Sequence, residues 1–176
     1  MPTPTYRILA CMIPVQAILL LAFTWHSTQP PASDTAPLVD HIVISKSHHT
    51  LTLFTRGTAT HTYLVALGRV SGAKQFAGDH KTPLGRYTVD AKNAHSRFHL
   101  ALHLSYPNPN DRVYAAAQHR PPGGDVEIHG LLPALAFVGA LHRTLDWTDG
   151  CIALTNPEID QVFRLTPTGT PVDITP

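Results

Sequence analysis

Residues 98–105 have the sequence FHLALHLS, and this stretch decides the fold class. Large apolar side chains alternate along it with smaller or more polar ones: Phe98, Leu100, Leu102 and Leu104 against His99, Ala101, His103 and Ser105. A period of two places each set on one face of a β-strand. His95, His99 and His103 would form a metal-binding face on a helix, but on a strand His99 and His103 stand about 13 Å apart. We therefore predict a strand here and no metal site.

Similar, shorter patterns predict further strands on both sides of this one, at residues 40–46, 50–55, 60–67, 85–90, 126–129 and 171–174. Helix signals are fewer. Residues 133–143 form one candidate, and Asn156-Pro157-Glu158 begins another that runs to Leu165, with Asn156 as the N-cap. The patterns predict a mostly β domain with short accessory helices.

Composition limits the partners of this domain. The 176 residues suffice for one domain with a proper core. The chain has 13 Lys and Arg against 12 Asp and Glu, without a basic block. Such a balance argues against nucleic acid as a partner.

We interpret the N-terminal residues as a targeting segment rather than as part of the folded domain. Residues 8–25 are mostly apolar, follow Arg7, and are followed by Pro30 and Pro31. This pattern is typical of an export signal, and a retained membrane anchor is the alternative. We predict a signal or anchor at 1–26, a Pro/Ser/Thr-rich linker at 27–39 and a folded domain at 40–176. The domain is then exported and meets the membrane only through its N-terminal segment.

Cys151 is the one cysteine outside the apolar segment, so the exported domain has no intrachain disulfide. It lies in the sequence Trp147-Thr148-Asp149-Gly150-Cys151, where the preceding glycine permits a tight turn with outward amides. His129 ends a predicted strand and also precedes a glycine, Gly130. A thiol with a pKa of about 8.5 needs a base or a cation to react at neutral pH. These residues alone leave two alternatives: a Cys151–His129 pair, or a buried cysteine unrelated to the histidine.

These motifs, in this order, resemble the catalytic domain of the L,D-transpeptidases, the YkuD-like family of cell-wall enzymes. The resemblance runs from about Asp40 to the C-terminus. It includes His129-Gly130, Thr148-Asp149-Gly150-Cys151-Ile152, Gly78-Asp79-His80-Lys81-Thr82-Pro83, Ser105-Tyr106-Pro107-Asn108, Asn156 and the closing residues 169–174. It implies a β-sandwich-like catalytic domain in a bacterial periplasm or cell envelope.

The resemblance also implies a mechanism. Family members attack an amide next to a D-configured centre in a peptidoglycan stem peptide, through a thioester on the cysteine. Cys151 is then the nucleophile and His129 the base, oriented by a backbone carbonyl near Gly130. The amides of Gly150 and Cys151, with Asp149, would hold the oxyanion. No metal or organic cofactor is implied, and activity should fall as His129 protonates near pH 6.5.

Four further residues are candidates for substrate contacts: Tyr106, Asn108, Trp147 and Asp79. Residues 131–143 are largely apolar, and either cover the cleft as a lid or belong to the core.

Two positions depart from the family pattern. Asp149 stands where many members have His or Ser, and we expect it to pair with a cation, for which Arg143, Arg120 and His142 are the candidates. Ala153 stands where many members have Arg or Asn, which leaves open which substrate carboxylate is gripped.

Three functions therefore remain: a transpeptidase that joins stem peptides or attaches an envelope lipoprotein, a thiol hydrolase of the same scaffold that cleaves cross-links or wall–lipoprotein links, and a non-catalytic wall-binding module.

Overall fold

The computed structural model of the chain describes residues 38–176. The predicted signal or anchor at 1–26 and the linker as far as residue 37 lie outside the described residues. Val39, at the end of that linker, is buried, and its amide donates to the carbonyl of Leu165 at 2.9 Å. Within residues 38–176, no helix is long and apolar enough to cross a membrane.

Eight strands dominate the described part of the chain, which confirms the predicted mostly β class. They are β1 (His41–Ser45), β2 (Thr50–Thr55), β3 (Thr58–Leu64), β4 (Gly85–Ser96), β5 (His99–Leu104), β6 (Glu127–His129), β7 (Ile152–Ala153) and β8 (Pro171–Thr175). Strand β5 occupies residues 99–104 of the decisive stretch. Leu102 and Leu104 of the predicted apolar face are fully buried and Leu100 is half-buried, while the small Ala101 on the opposite face is buried as well.

The strands form one sheet in the order β3-β2-β1-β8-β4-β5-β6-β7. The pairs β1–β8 and β6–β7 are parallel, and the remaining neighbours are antiparallel. The long strand β4 joins the two halves, because residues 85–88 pair with β8 and residues 89–96 pair with β5. Buried side chains of both halves, such as Leu53 and Ile128, share one core. The sheet therefore curls upon itself, which gives the expected sandwich-like shape.

Two α-helices accompany the sheet: α1 (Pro109–Ala117) and α2 (Asn156–Leu165). The predicted second helix is thus present, but its N-cap is Thr155 and not Asn156. The Glu158 carboxylate accepts hydrogen bonds from the Thr155 amide at 3.0 Å and hydroxyl at 2.6 Å. The side chain of Asn156 does not cap the helix and is therefore available for a contact outside it.

Residues Pro133–Thr144 form a 3₁₀ segment rather than the predicted amphipathic α-helix. Gly139 interrupts it with φ +52° and ψ −135°, so the apolar residues do not share one continuous face. None of its residues is buried, and Phe137 is 85% exposed. The segment is therefore a surface element and not core.

Candidate active site

The nucleophile candidate and the base candidate lie on neighbouring strands. In the parallel pair β6–β7, Ile128 is opposite Ile152 and His129 is opposite Ala153. Cys151, one residue before β7, therefore stands next to Glu127. Side chains alternate along a strand, so Cys151 and His129 face the same side of the sheet, with Cα atoms about 8 Å apart from the strand spacing and rise. The sheet register brings together two residues that are far apart in sequence.

The imidazole of His129 is almost completely enclosed, with 2% exposure. Its Nδ1 lies 2.6 Å from the carbonyl oxygen of Gly130, to which it donates. Phe98 stacks on the ring at 4.3 Å between centroids, and Trp147 meets it edge-on at 6.0 Å. With the proton on Nδ1, the lone pair of Nε2 remains available to accept a proton. The orienting carbonyl near Gly130, anticipated from the sequence, is the carbonyl of Gly130 itself.

A tightly packed turn holds that carbonyl. A Cβ atom at Gly130 would lie 2.7 Å from Asn156 Oδ1 and 2.9 Å from Ile159 Cγ2, so only glycine fits. Asn156 Oδ1 accepts a hydrogen bond from the amide of Leu131 at 2.7 Å. The first residue of α2 thus fixes the backbone that orients His129. The sequence pattern predicts Asn156 as the helix N-cap and does not indicate this role.

Burial sets the protonation of both groups. It raises the pKa of the Cys151 thiol to about 11, with the carboxylates of Glu127 and Asp149 adding to the effect. Burial lowers the pKa of His129, which the hydrogen bond to Gly130 offsets only in part. The resting pair is therefore a neutral thiol beside a neutral imidazole, rather than a thiolate–imidazolium ion pair.

The turn before Cys151 depends on Gly150 and Thr148. Gly150 has φ +130°, and a Cβ atom there would lie 2.6 Å from the carbonyl oxygen of Lys81. Its amide donates to Thr148 Oγ1 at 3.1 Å, and that hydroxyl donates to the Cys151 carbonyl at 2.7 Å. The Gly150 amide, a predicted oxyanion donor, thus already has a partner in the turn. Thr148 thus closes the turn, a role that the sequence motif does not indicate.

Asp149 has a cationic neighbour, Arg69, which is not one of the three candidates. Its carboxylate lies 2.8 Å from His80 Nδ1 and 3.1 Å from an Arg69 guanidinium nitrogen. The predicted cations are engaged elsewhere: Arg143 with Glu158, Arg120 over the Phe76 ring, and His142 with the indole of Trp147. The expectation of a cationic partner is correct, whereas the choice of residue is wrong.

Three of the four candidate substrate contacts support the fold. Tyr106 is 3% exposed and donates to the carbonyl of Pro122, and Asn108 caps α1. Asp79 pairs with the buried Lys74 at 3.0 Å and accepts from three backbone amides. Those polar groups already have partners inside the protein, and a role of these three residues in substrate binding stays a prediction. Only Trp147, 37% exposed and against His129, lies at the site.

The 3₁₀ segment encloses an apolar pocket of about 190 Å³ beside this tryptophan. Its lining consists of Leu131, Leu132, Leu135, Val138, His142 and Trp147. Because Trp147 also contacts His129, the pocket adjoins the candidate base. The segment thus occupies the position of the predicted lid.

The two histidines of β5 do not meet. His99 pairs with Asp160 at 2.7 Å and His103 with Asp90 at 2.6 Å. Within the described residues, no group of three or more His, Cys, Asp or Glu side chains is arranged to hold a metal ion.

A thiol and an oriented imidazole on adjoining strands, beside an apolar pocket, form the kind of site that thiol-dependent acyl-transfer chemistry needs. Residues 39–174 match the model of the YkuD L,D-transpeptidase catalytic domain, and the chain belongs to this family.

The chain is also similar to a curated relative and, in fold, to two solved structures. The Escherichia coli K12 protein YafK is 32% identical over 95 residues, which are 53% of this chain and 31% of YafK. The structure of Pgp2, a helical cell shape determining protein of Campylobacter jejuni, matches with a TM-score of 0.59 and 24% identity, over 79% of this chain and 48% of Pgp2. Bd1075 of Bdellovibrio bacteriovorus matches with a TM-score of 0.57 and 20% identity, over 81% and 49%. The two structures show the shared fold, and the chain spans half or less of each of these proteins.

Proposed function

We propose that this protein is an exported, cysteine-dependent acyl transferase that acts on peptidoglycan stem peptides in the bacterial cell envelope. The family membership supports the substrate class. The observation that carries the chemistry is His129, fixed through Nδ1 to the Gly130 carbonyl on the strand beside Cys151.

Acylation begins with both groups neutral. As the sulfur of Cys151 attacks the carbonyl carbon of the scissile amide, Nε2 of His129 accepts the thiol proton. The amide of Cys151 holds the oxyanion, since the Gly150 amide is bonded to Thr148. The imidazolium then protonates the leaving amine, the C–N bond breaks, and a thioester remains on Cys151.

Deacylation repeats these steps with a new nucleophile. His129 removes a proton from an amine or a water molecule, which attacks the thioester carbonyl. The C–S bond breaks, and the imidazolium returns its proton to the sulfur. An amine acceptor gives a cross-link or a lipoprotein attachment, and water gives hydrolysis.

Hydrolysis is the second candidate because of Ala153. Its side chain is fully buried, so this position offers no polar group to hold an acceptor. A site that holds an acceptor weakly leaves the thioester open to water.

The test is incubation of the full chain with purified muropeptides, followed by mass analysis of the products. Dimers that lack a terminal D-alanine support transfer, and smaller fragments with one added water support the hydrolase. Cys151→Ala should abolish either reaction while it preserves the circular dichroism spectrum. Unchanged substrate with the native chain, or full turnover by Cys151→Ala, would refute the thiol mechanism and favour a wall-binding module.

A further inference from the structure

Arg69 lies beside the turn that carries the candidate nucleophile and is not part of the acid–base pair. Its amide donates to the carbonyl of Thr148 at 3.0 Å, in a bridge that joins residue 68 to residue 148. The backbone of Arg69 is therefore attached to the turn that carries Cys151, 82 residues further along the chain.

The guanidinium of Arg69 is positioned from two sides. It contacts the ring of His80 at 3.1 Å and the Asp149 carboxylate at 3.1 Å. The loop that carries His80 is itself held to the segment around Arg69, because the Val70 amide donates to the His80 carbonyl at 3.2 Å. The cation is thus fixed in place by local structure.

The ion pair between Arg69 and Asp149 is open to exchange. The two side chains are 50% and 72% exposed, and such exposed pairs contribute little stability. Arginine offers five N–H donors in a planar fork that matches a carboxylate, so an incoming carboxylate can replace Asp149 or bind beside it. Asp149 lies two residues before Cys151, which places the pair on the turn that carries the candidate nucleophile.

Lys74, another cation that acts on the Cys151 thiol, cannot exchange its carboxylate partner in this way. The Lys74 side chain is 5% exposed and is held by the Asp79 carboxylate. Ala153, where many family members carry Arg or Asn, offers no polar group. Arg69, by contrast, is a half-exposed cation that is available for an acidic substrate group.

We propose that Arg69 is the specificity-determining residue of this site, which binds a carboxylate of the substrate, with Asp149 as the internal anion that this carboxylate displaces. The inference rests on the proposed function for the identity of the substrate as an acidic stem peptide. The anion preference of the site can be tested without that substrate.

The first experiment compares two methanethiosulfonate reagents of opposite charge, one with an ethyl sulfonate and one with an ethyl trimethylammonium. Modification rates are followed at the Cys151 peptide by mass spectrometry. Arg69→Ala should lower the ratio of anionic to cationic rates by about threefold to fivefold, as loss of an exposed pairing partner predicts. Asp149→Asn should raise the ratio, because it frees the guanidinium.

Lys81→Ala is the matched control. It removes an equal charge from the same loop, but the Lys81 ammonium lies near Gly72. The ratio should change by less than about twofold, because solvent and salt screen a more distant charge. Equal effects of Arg69→Ala and Lys81→Ala would overturn the proposal, since they would show a general charge effect.

The second experiment uses stem peptides whose diaminopimelate side-chain carboxylate is free or amidated. The native enzyme should favour the free acid, Arg69→Ala should lose that preference, and Arg69→Lys should keep part of it. An unchanged preference in Arg69→Ala overturns the proposal. If the native chain processes neither peptide, the proposed function fails, and the reagent ratios still decide the role of Arg69.

Discussion

The uncharged state of Cys151 and His129, which lie on the same side of the sheet, has consequences for their reactivity. Burial raises the pKa of the thiol to about 11, and the thiolate is the reactive form. Because the pKa of His129 is lowered, the imidazole keeps its lone pair in more acidic solution than a free histidine does. Substrate attack and loss of the thiol proton are therefore expected in the same step.

The pH dependence of the site follows from these shifts. The acid limb of kcat/KM should lie below pH 6.5, lower than the sequence alone suggests, because His129 stays neutral there. Alkylation of Cys151 by iodoacetamide should still increase above pH 9. Both profiles are measured on the same preparation, with His129→Gln as the control that loses the acid limb. An alkylation rate that is already constant below pH 7 would demonstrate a preformed thiolate–imidazolium pair and contradict this assignment.

Gly150 is needed both for its backbone angle and for its lack of a side chain. Gly150→Ala would impose φ +130° on alanine and bring its Cβ to 2.6 Å from the Lys81 carbonyl. We expect the free energy of unfolding to fall by about 1–3 kcal/mol in urea titrations, with most of the activity lost.

The matched control is Gly57→Ala, in the β2–β3 turn. Gly57 also has a positive φ of +74°, but nothing lies within 4 Å of a Cβ there. Gly57→Ala should lower the free energy of unfolding by about 1–2 kcal/mol, which is the conformational penalty of a positive φ alone, and it should leave activity intact. Equal activity losses in both variants would mean that the contact with Lys81 does not matter.

Two neighbouring residues at the N-terminus of helix α2 have different roles. Thr155 stabilises the helix, whereas Asn156 positions the backbone that orients His129. Asn156 bonds the Leu131 amide beside the orienting Gly130 carbonyl, whereas Thr155 bonds Glu158 within its own helix. Asn156→Ala should lower kcat/KM at least about tenfold, because small displacements of catalytic groups are costly. Thr155→Ala should instead lower stability by about 1 kcal/mol and keep kcat/KM.

Asn156→Asp provides the control, because its carboxylate can accept the same hydrogen bond from Leu131. It should restore most of the kcat lost in Asn156→Ala. If Asn156→Ala changes only the unfolding midpoint, Asn156 is a structural residue and the positioning role is wrong.

Sequence patterns predicted elements where local periodicity and packing agree. The alternation at 98–105 identified β5 because one face of that strand is buried. Helix α1 was missed, although Asn108-Pro109 followed by Asp111 carries the signature of a capped helix start. The 3₁₀ segment was predicted as an α-helix, since nothing in its apolar pattern reveals that Gly139 has a positive φ.

Across the whole molecule, the site depends on contacts that no local pattern encodes. His129 ends a predicted strand and Cys151 follows a glycine, so each residue is identifiable on its own. The pairing of Asp149 with Arg69 and His80 was not, because it joins a loop and a turn far apart in the chain through the bridge at residue 68. The sequence candidates for that role lay closer to Asp149 or carried the right charge, but the topology directs them elsewhere.

The curled sheet buries His129 and the surface segment partly buries His142, and this makes the fold sensitive to acid. Burial lowers the pKa of His129 and, with the nearby Arg143, lowers that of His142 to about 4. The unfolded chain has ordinary histidines near pH 6.5, so below that value it binds more protons than the folded chain. Their contribution to stability is present above pH 6.5 and is lost as the pH falls toward 4.

We therefore expect the free energy of unfolding, from urea titrations, to decrease between pH 6.5 and 4.5. A histidine that is protonated only in the unfolded chain changes the free energy of unfolding by at most about 1.4 kcal/mol per pH unit. The partly exposed His142 contributes less than this. His142→Gln should flatten the slope because glutamine does not titrate, whereas the exposed His95→Gln should leave it unchanged. The lowered pKa values of Asp79, Glu158 and Asp173 add losses that begin in the ordinary carboxyl range, at about pH 4, and continue in more acidic solution. Identical slopes in the native chain and His142→Gln would show that His142 ionises equally in the folded and unfolded states.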